Sequence, residues 1–380
     1  MNVLIVPDKF KGSLTASEVI AAIEAGLKGK LPDVIVHHVV ASDGGDGFLD
    51  AIIKCRPSVA VVSCDTVDPL GRPIEAEFGF DESESVAYVE MARASGMELL
   101  RADERDPSET STEGTGRLIL AAMSRGAKTI YVGLGGSATN DGGCGIAKAL
   151  GFRFFDASGN TIDPVGGQLG RIDRIDSASV TPGASDVRII AVNDVSNPLL
   201  GSEGAAFVYA PQKGADAAMV RDLDAGLDHL QSIVRRDLST DAAEVPGAGA
   251  AGGTGYGLKA FLKADFISGI EFVLTLAEME TLLAAGTIDL IVTGEGRIDD
   301  QTAYGKLVRG VADVGEKYNV PVKAICGQLN LERKSFSDLG LSGVVQIHRQ
   351  DRPLDETIRR AAELVTSAAG ELITDEMRHG

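Results

Sequence analysis

Asn2-Val3-Leu4-Ile5-Val6-Pro7-Asp8-Lys9-Phe10-Lys11-Gly12-Ser13-Leu14-Thr15-Ala16-Ser17-Glu18 opens the chain with a strand, a short polar loop and the start of a helix. Val3–Val6 is an apolar run of the kind carried by a strand buried on both faces. Thr15 and Glu18 form a capping box, in which Thr15 accepts from the N3 amide and Glu18 reaches back to the N-cap amide. Val19, Ile23 and Leu27 then fall on one helical face. A strand running into a capped helix is half of a βαβ unit. The loop Asp8–Ser13 joins the strand's end to the helix N-terminus, whose free N–H groups favour anions.

The arrangement recurs. Val34–Ala41 leads into Ser42-Asp43-Gly44-Gly45-Asp46-Gly47, and Ile130–Val132 into Gly133-Leu134-Gly135-Gly136-Ser137-Ala138-Thr139-Asn140-Asp141-Gly142-Gly143. Ile288–Val292 leads into a loop, Thr293-Gly294-Glu295-Gly296-Arg297-Ile298-Asp299. Ligand sites of α/β proteins lie in loops past the carboxyl ends of strands. Glycine lets backbone amides approach a phosphate, and carboxylates hold hard cations. The combination predicts chemistry on a metal-bound phosphate compound.

At 380 residues the chain exceeds what one core usually organises, which predicts two domains. Strand runs alternate with helical patterns near both ends, while the middle is less regular. The expectation is a parallel α/β domain from residues 1–66 and 285–380, with residues 67–284 inserted as a second, mixed α/β domain. Within the insert, Thr112–Met123, Asp216–Arg236 and the segment after Pro246–Gly257 read as helices. Val187–Val192 and Ala205–Tyr209 read as strands, and Asn160–Ser185 as a long connection. Leu354 to Leu372 reads as one closing helix.

The net charge of -19 repels nucleic acid and anionic membranes at long range. It repels anionic substrates too, so a site for ATP or a carboxylate must gather cations locally or recruit a divalent metal. Cys55, Cys64, Cys144 and Cys326 have no zinc-type spacing and read as small buried hydrophobes of a reducing compartment. No apolar run is long enough to span a membrane, and no secretory leader pattern opens the chain. The expected location is the cytoplasm, with no nucleic-acid or membrane partner; the oligomeric state stays open, a homodimer included.

No Walker-type P-loop or protein-kinase motif set is present. Gly133-x-Gly135-x-x-Ala138, with Asp156 further on, matches a dinucleotide fingerprint and raises a rival reading as an oxidoreductase. The oxygen-rich insert Ser137–Asp141 suits a metal-phosphate better. Asp43 and Asp46 could bind metal or a substrate hydroxyl, or shape an Asx turn. Asp194 follows another strand end, where a carboxylate can accept a hydroxyl proton or cap a helix. Lys9, Lys11, Lys213, Arg297 and Lys306 lie beside these loops, where counter-charge to phosphate is useful. The five histidines show no ligand or triad spacing and read as structural.

These segments, in this order, resemble the bacterial glycerate kinase family. The resemblance covers Pro7–Leu14, Ser42–Gly47, Gly133–Gly143, Asp194 with Asn197-Pro198-Leu199, and Gly204-Ala205-Ala206 with Pro211-Gln212-Lys213-Gly214. It continues through Gly247–Gly253 and Thr293–Asp299 to Gln301 and Gly305-Lys306. Asn193 stands where a Cys is usual, Asp300-Gln301-Thr302 where a small residue precedes Gln-Ser, and Leu307 where Pro is frequent. No carboxylate or lysine is lost.

The resemblance implies ATP- and Mg2+-dependent phosphorylation of D-glycerate, generally to 2-phosphoglycerate. It also implies a flavodoxin-like domain carrying an inserted mixed domain, with the site in the cleft between them. Residue reading and resemblance together nominate Asp194, Lys9 and Asp43 for catalysis. Lys11, Ser13, Gly135, Gly136, Ser137, Thr139, Asn140, Lys213, Gly252, Gly253, Arg297 and Lys306 are nominated for the nucleotide. Asp46, Asp141, Glu295 and Asp299 are nominated for the metal. A ligand-binding regulatory protein is the non-enzyme alternative, though pure binding needs fewer reactive carboxylates and lysines.

Overall fold

A computed structural model describes residues 1–10, 12–39, 47–269, 272, 279–299, 302, 307–332, 335–349 and 351–373. Its strands, numbered in chain order, are β1 (Asn2–Pro7), β2 (Ile35–His38), β3 (Ala60–Val67), β4 (Pro73–Asp81), β5 (Val86–Glu90), β6 (Thr129–Gly133) and β7 (Arg153–Phe155). They continue as β8 (Arg174–Asp176), β9 (Arg188–Val192), β10 (Asp265–Ile267), β11 (Leu290–Asp299), β12 (Val322–Asn330) and β13 (Gly343–Gln346). The fold is mixed α/β and divides into two compact units, Met1–Ser42 with Gly269–Gly380, and Asp43–Ser268. Among the described residues no helix is long and apolar enough to cross a membrane.

The first unit holds a five-stranded, all-parallel sheet in the order β13-β12-β11-β1-β2. Counted within the unit, that order is 2-1-3-4-5, so the winding reverses between β1 and β11. Val3, Leu4, Ile5 and Val6 are fully buried, as a central parallel strand requires. Helix Ala16–Lys30 starts at the predicted capping box, Thr15 with Glu18. Its face of Val19, Ile23 and Leu27 shares one core with Val365, Ala368 and Ala369 of helix Ala361–Glu371. Leu4, Val6 and Ile291 share a second core with Leu283 of helix Met279–Ala284 and with Val308 and Val311 of helix Leu307–Lys317. Helical cover on both faces is what makes the strand sequences continuously apolar.

The second unit carries a six-stranded mixed sheet, β10-β9-β6-β5-β4-β3. Strands β10, β9, β6 and β5 run parallel, and the hairpin partners β4 and β3 are antiparallel. Helix Glu113–Ser124 packs Leu118, Ile119 and Ala122 on Val89, Ile130 and Ile189. Helix Ala217–Leu238, capped by Asp216, buries Val220, Leu223, Leu227, Leu230 and Val234, the stripe read from the sequence. Each such side chain contributes about 1.5–3 kcal/mol of burial.

Several expectations need correction. The division between units falls earlier than expected at both ends. Helix Phe48–Cys55 packs on β4 and β5, and β3 pairs along its length with β4, which draws residues 43–66 into the second unit. Ala205–Tyr209 is a helix, with Ala205 and Ala206 buried and Phe207 and Val208 exposed. Five apolar residues carry no period, and packing decided them. Asn160–Ser185 contains β8, paired antiparallel with β7, and 3-10 turns at Gly166–Arg171 and Ala184–Asp186. The closing segment is two helices, Leu354–Arg359 and Ala361–Glu371, with Leu354 and Ile358 exposed.

Candidate active site

In the first unit the winding reverses between β1 and β11, and the residues just past β1 lie against β11 there. The Asp8 amide donates to the Gly294 carbonyl at 2.8 Å. Lys9 follows, exposed, its amide donating to the Asp8 carboxylate at 2.6 Å. The turn then closes on itself: Ser13 and Leu14 donate to the Phe10 carbonyl, and Phe10 and Leu14 form an isolated bridge. The Ser13 hydroxyl also donates to the Phe10 carbonyl at 3.0 Å, so it shapes the turn.

The segment Thr293–Asp299, expected as a loop, continues β11 in register with β12 as far as Asp299 and Asn330. Its glycines serve close strand approach. A Cβ on Gly294 would lie 2.4 Å from the Ile325 carbonyl oxygen, and one on Gly327 would lie 2.3 Å from that of Gly296. The buried Glu295 carboxylate accepts from the Thr302 hydroxyl at 2.7 Å, and that hydroxyl accepts from the Asp299 amide at 3.1 Å. Arg297 is exposed and reaches Gln328 at 3.2 Å.

In the second unit the carboxyl ends of β5, β6 and β9 carry the site. Glu90, the last residue of β5, is buried and accepts from the Gly47 and Leu49 amides at 2.8 and 3.0 Å. It caps helix Phe48–Cys55 from across the sheet, because Gly47 has no side chain with which to do so. Nothing in the sequence marked Glu90.

Past β6, Gly135 and Gly136 lead into Ser137, Thr139, Asn140 and Asp141, all buried. Lys213 is 2% exposed and donates to the Ser137 hydroxyl at 2.8 Å and to the Thr139 carbonyl at 2.7 Å. Burial pulls its ammonium down to about 7, against the opposing pull of Asp141. The Thr139 hydroxyl and both ends of the Asn140 amide are buried and have no hydrogen-bond partner among the described residues. Asp141 is saturated instead. It accepts from the Thr112 amide and hydroxyl and from the Gly143 and Gly145 amides, at 2.7 to 3.1 Å. Burial nevertheless raises its carboxyl above the usual range. That carboxylate holds the start of helix Cys144–Ala149.

Behind this loop lie three successive left-handed residues, Ala251, Gly252 and Gly253. A Cβ on Gly252 would sit 2.0 Å from the Thr139 carbonyl oxygen. The Gly142 amide donates to the Gly252 carbonyl at 3.1 Å. Gly252 and Gly253 therefore serve the loop past β6 as its packing bed. Past β9, Asp194 is exposed, and the Asn193 side chain accepts from the Val195 amide at 3.1 Å, fixing that turn.

The family model described as the glycerate kinase family matches residues 3–375. This chain belongs to that family. It is 42% identical over 369 residues to the glycerate 2-kinase of Escherichia coli K12, covering 97% of this chain and 96% of that one. It is 41% identical to the glycerate kinase of Halalkalibacterium halodurans, covering 97% and 96%. A crystal structure from Salmonella typhimurium LT2, assigned as glycerate kinase 2, superposes with a TM-score of 0.82 at 39% identity, covering 98% and 97%.

Within this glycerate kinase family member, the second unit brings Gly135, Gly136, Ser137, Thr139, Asn140, Lys213, Gly252 and Gly253 into one neighbourhood. Lys11, Asp43, Asp46 and Lys306 lie outside the described residues. The dinucleotide fingerprint does not form its usual turn: after Gly133 the next helix begins only at Cys144. Asp156 binds its own turn, accepting from the Ser158 and Asn160 amides. A surface hollow lined by Arg309, Gly315, Asn319, Val322 and Ser342 lies at the amino ends of β12 and β13, the wrong edge of a parallel sheet for a ligand.

Proposed function

We propose that this chain transfers the γ-phosphoryl group of ATP to D-glycerate and releases 2-phosphoglycerate. The match of nearly the whole chain to the glycerate kinase family carries this reading. The use of ATP fits the cytoplasm, and the strand order of the first unit fits a flavodoxin-like domain.

Phosphoryl transfer asks the protein mainly for positioning and for positive charge around the migrating group. Lys9, with Lys11, Arg297 and Lys306, supplies countercharge to the phosphates. Gly135, Gly136, Ser137, Thr139, Asn140 and Lys213 offer donors to an anionic oxygen. Asp194 accepts the proton of the glycerate hydroxyl as the new O–P bond forms. Asp43 is the alternative base.

Mg2+ usually takes one or two protein carboxylates and completes its shell with phosphate oxygens and water. Glu295 and Asp299 suit that demand as hard oxygen donors. They lie four residues apart on one strand, roughly 13 Å along it, so one of them would serve a given ion. Among the described residues no group of three or more potential ligands converges. Bound there, the ion would neutralise charge on the β- and γ-phosphate oxygens.

The test is ADP formation in a coupled assay, followed by phosphorus NMR of the product. A phosphate on the C2 oxygen couples to one proton and gives a doublet, whereas one on the C3 oxygen couples to two and gives a triplet. Absence of glycerate-dependent ADP formation would overturn the activity, and a triplet would overturn the regiochemistry.

A further inference from the structure

Thr139 and Asn140 are fully buried, yet among the described residues the Thr139 hydroxyl and both polar ends of the Asn140 amide have no partner. Buried polar groups are nearly always paired, so these unpartnered atoms on adjacent residues point to something that completes them. The Thr139 hydroxyl and the Asn140 amide nitrogen call for an acceptor oxygen, and the Asn140 amide oxygen for a donor such as a ligand hydroxyl. Lys213 adjoins them, since it donates to the Thr139 carbonyl. An ammonium has three N–H groups. Two find acceptors, Ser137 and Thr139, and among the described residues the third finds none. Gly135 and Gly136, just before the cluster, are partly exposed, so it lies close under the surface.

We propose that Lys213, Thr139 and Asn140 form an oxyanion subsite whose ligand enters together with a proton on the lysine. On the reading above, the ligand is the carboxylate of glycerate or a phosphate of the nucleotide. The chemistry is shared: amide N–H, hydroxyl and ammonium all donate to an anionic oxygen. Burial has brought Lys213 to about 7, so in weakly alkaline solution the empty site holds mostly the neutral amine. A neutral amine has two N–H groups, matching the two acceptors it finds. An entering anion favours the charged form and draws one proton from solvent onto Nζ. The charged residues on the segments packed here include Asp141, Arg105, Asp106 and Asp216, and the last caps helix Ala217–Leu238. Asp141, on the same loop, raises the proton affinity of Lys213. Arg105 lies on the segment under Gly214, where a Cβ would be 2.1 Å from the Arg105 carbonyl oxygen.

The experiment is calorimetric titration of the full chain with D-glycerate alone and with ADP alone, in buffers of different ionisation enthalpy. At about pH 8 one of the two ligands should bind with uptake of about one proton, and at about pH 6 with almost none. The arm that shows uptake identifies the oxyanion. Lys213→Arg keeps a permanent charge and should bind without uptake, and Lys213→Met should lose both uptake and affinity. Thr139→Val preserves shape and guards against misfolding of the lysine variants; it should weaken the same ligand about tenfold. Absence of uptake with either ligand at about pH 8, uptake that persists in Lys213→Met, or unchanged affinity in Thr139→Val would each overturn the proposal. Wild-type turnover of glycerate is read separately, so the subsite can fail while the kinase reading stands, and the reverse.

Discussion

Lys9 and Asp194 are exposed residues just beyond the carboxyl ends of β1 and β9, where a change reaches chemistry before it reaches the core. Lys9→Ala should lower kcat/KM by about two to three decades, as losing one electrostatic group at a transition state does. Its circular dichroism should match the wild type. Wild-type kinetics in that variant would remove Lys9 from the phosphate site. Asp194→Asn should bind ATP almost normally and lose kcat by about a hundredfold or more, since the amide cannot take the hydroxyl proton. If Asp194→Asn keeps its kcat while Asp43→Asn is inactive, the base is Asp43. The strand-end position of both was legible in the sequence because it follows from the local run of residues. Glu90 was not. Its work is to meet the Gly47 and Leu49 amides from a residue more than forty positions away.

Among elements, helix Phe48–Cys55 begins at a glycine with φ of 81° and depends on Glu90 for its cap. Glu90→Ala should therefore destabilise the fold by about 1–2 kcal/mol, measured by urea denaturation. Glu90→Gln, which keeps one acceptor oxygen, should recover part of that. An unchanged denaturation midpoint in Glu90→Ala would show that the cap is dispensable. The left-handed turn Ala251–Gly253 packs closely on the loop past β6. At Gly252, φ is 66° and a Cβ would be 2.0 Å from the Thr139 carbonyl oxygen. Gly252→Val should lower Tm by ~5 °C or more and disturb the loop that Lys213 holds. A variant with wild-type Tm and altered kcat and KM would instead mark a hinge.

For the whole molecule, the net charge of -19 sets the terms on which an anionic substrate pair can be held. The cations near the proposed site are few, and Lys213 is half neutralised by burial near pH 7. Positive charge across the β- and γ-phosphate oxygens must then come largely from a divalent ion. EDTA should abolish turnover and excess Mg2+ should restore it. Full activity in metal-free buffer would show that the side chains suffice.

The sequence by itself determined the elements whose signal is local and strong. The capped first helix, the long helix Ala217–Leu238 and the buried central strands were readable because capping chemistry and hydrophobic period are written within a single segment. The family was readable for a similar reason, since its motifs are contiguous blocks in a fixed order. Tertiary structure alone decided that Ala205–Tyr209 is helical and that Thr293–Asp299 continues β11. The first is too short to carry a period, and the second turns on how closely Gly294 and Gly327 let β11 and β12 approach. Tertiary structure also separated carboxylates that look alike in sequence. Asp141 is consumed by four hydrogen bonds from its own surroundings, whereas Asp194 lies exposed at a strand end. Burial and partnership are properties of the packed chain, and they decide whether an oxygen is available to a ligand.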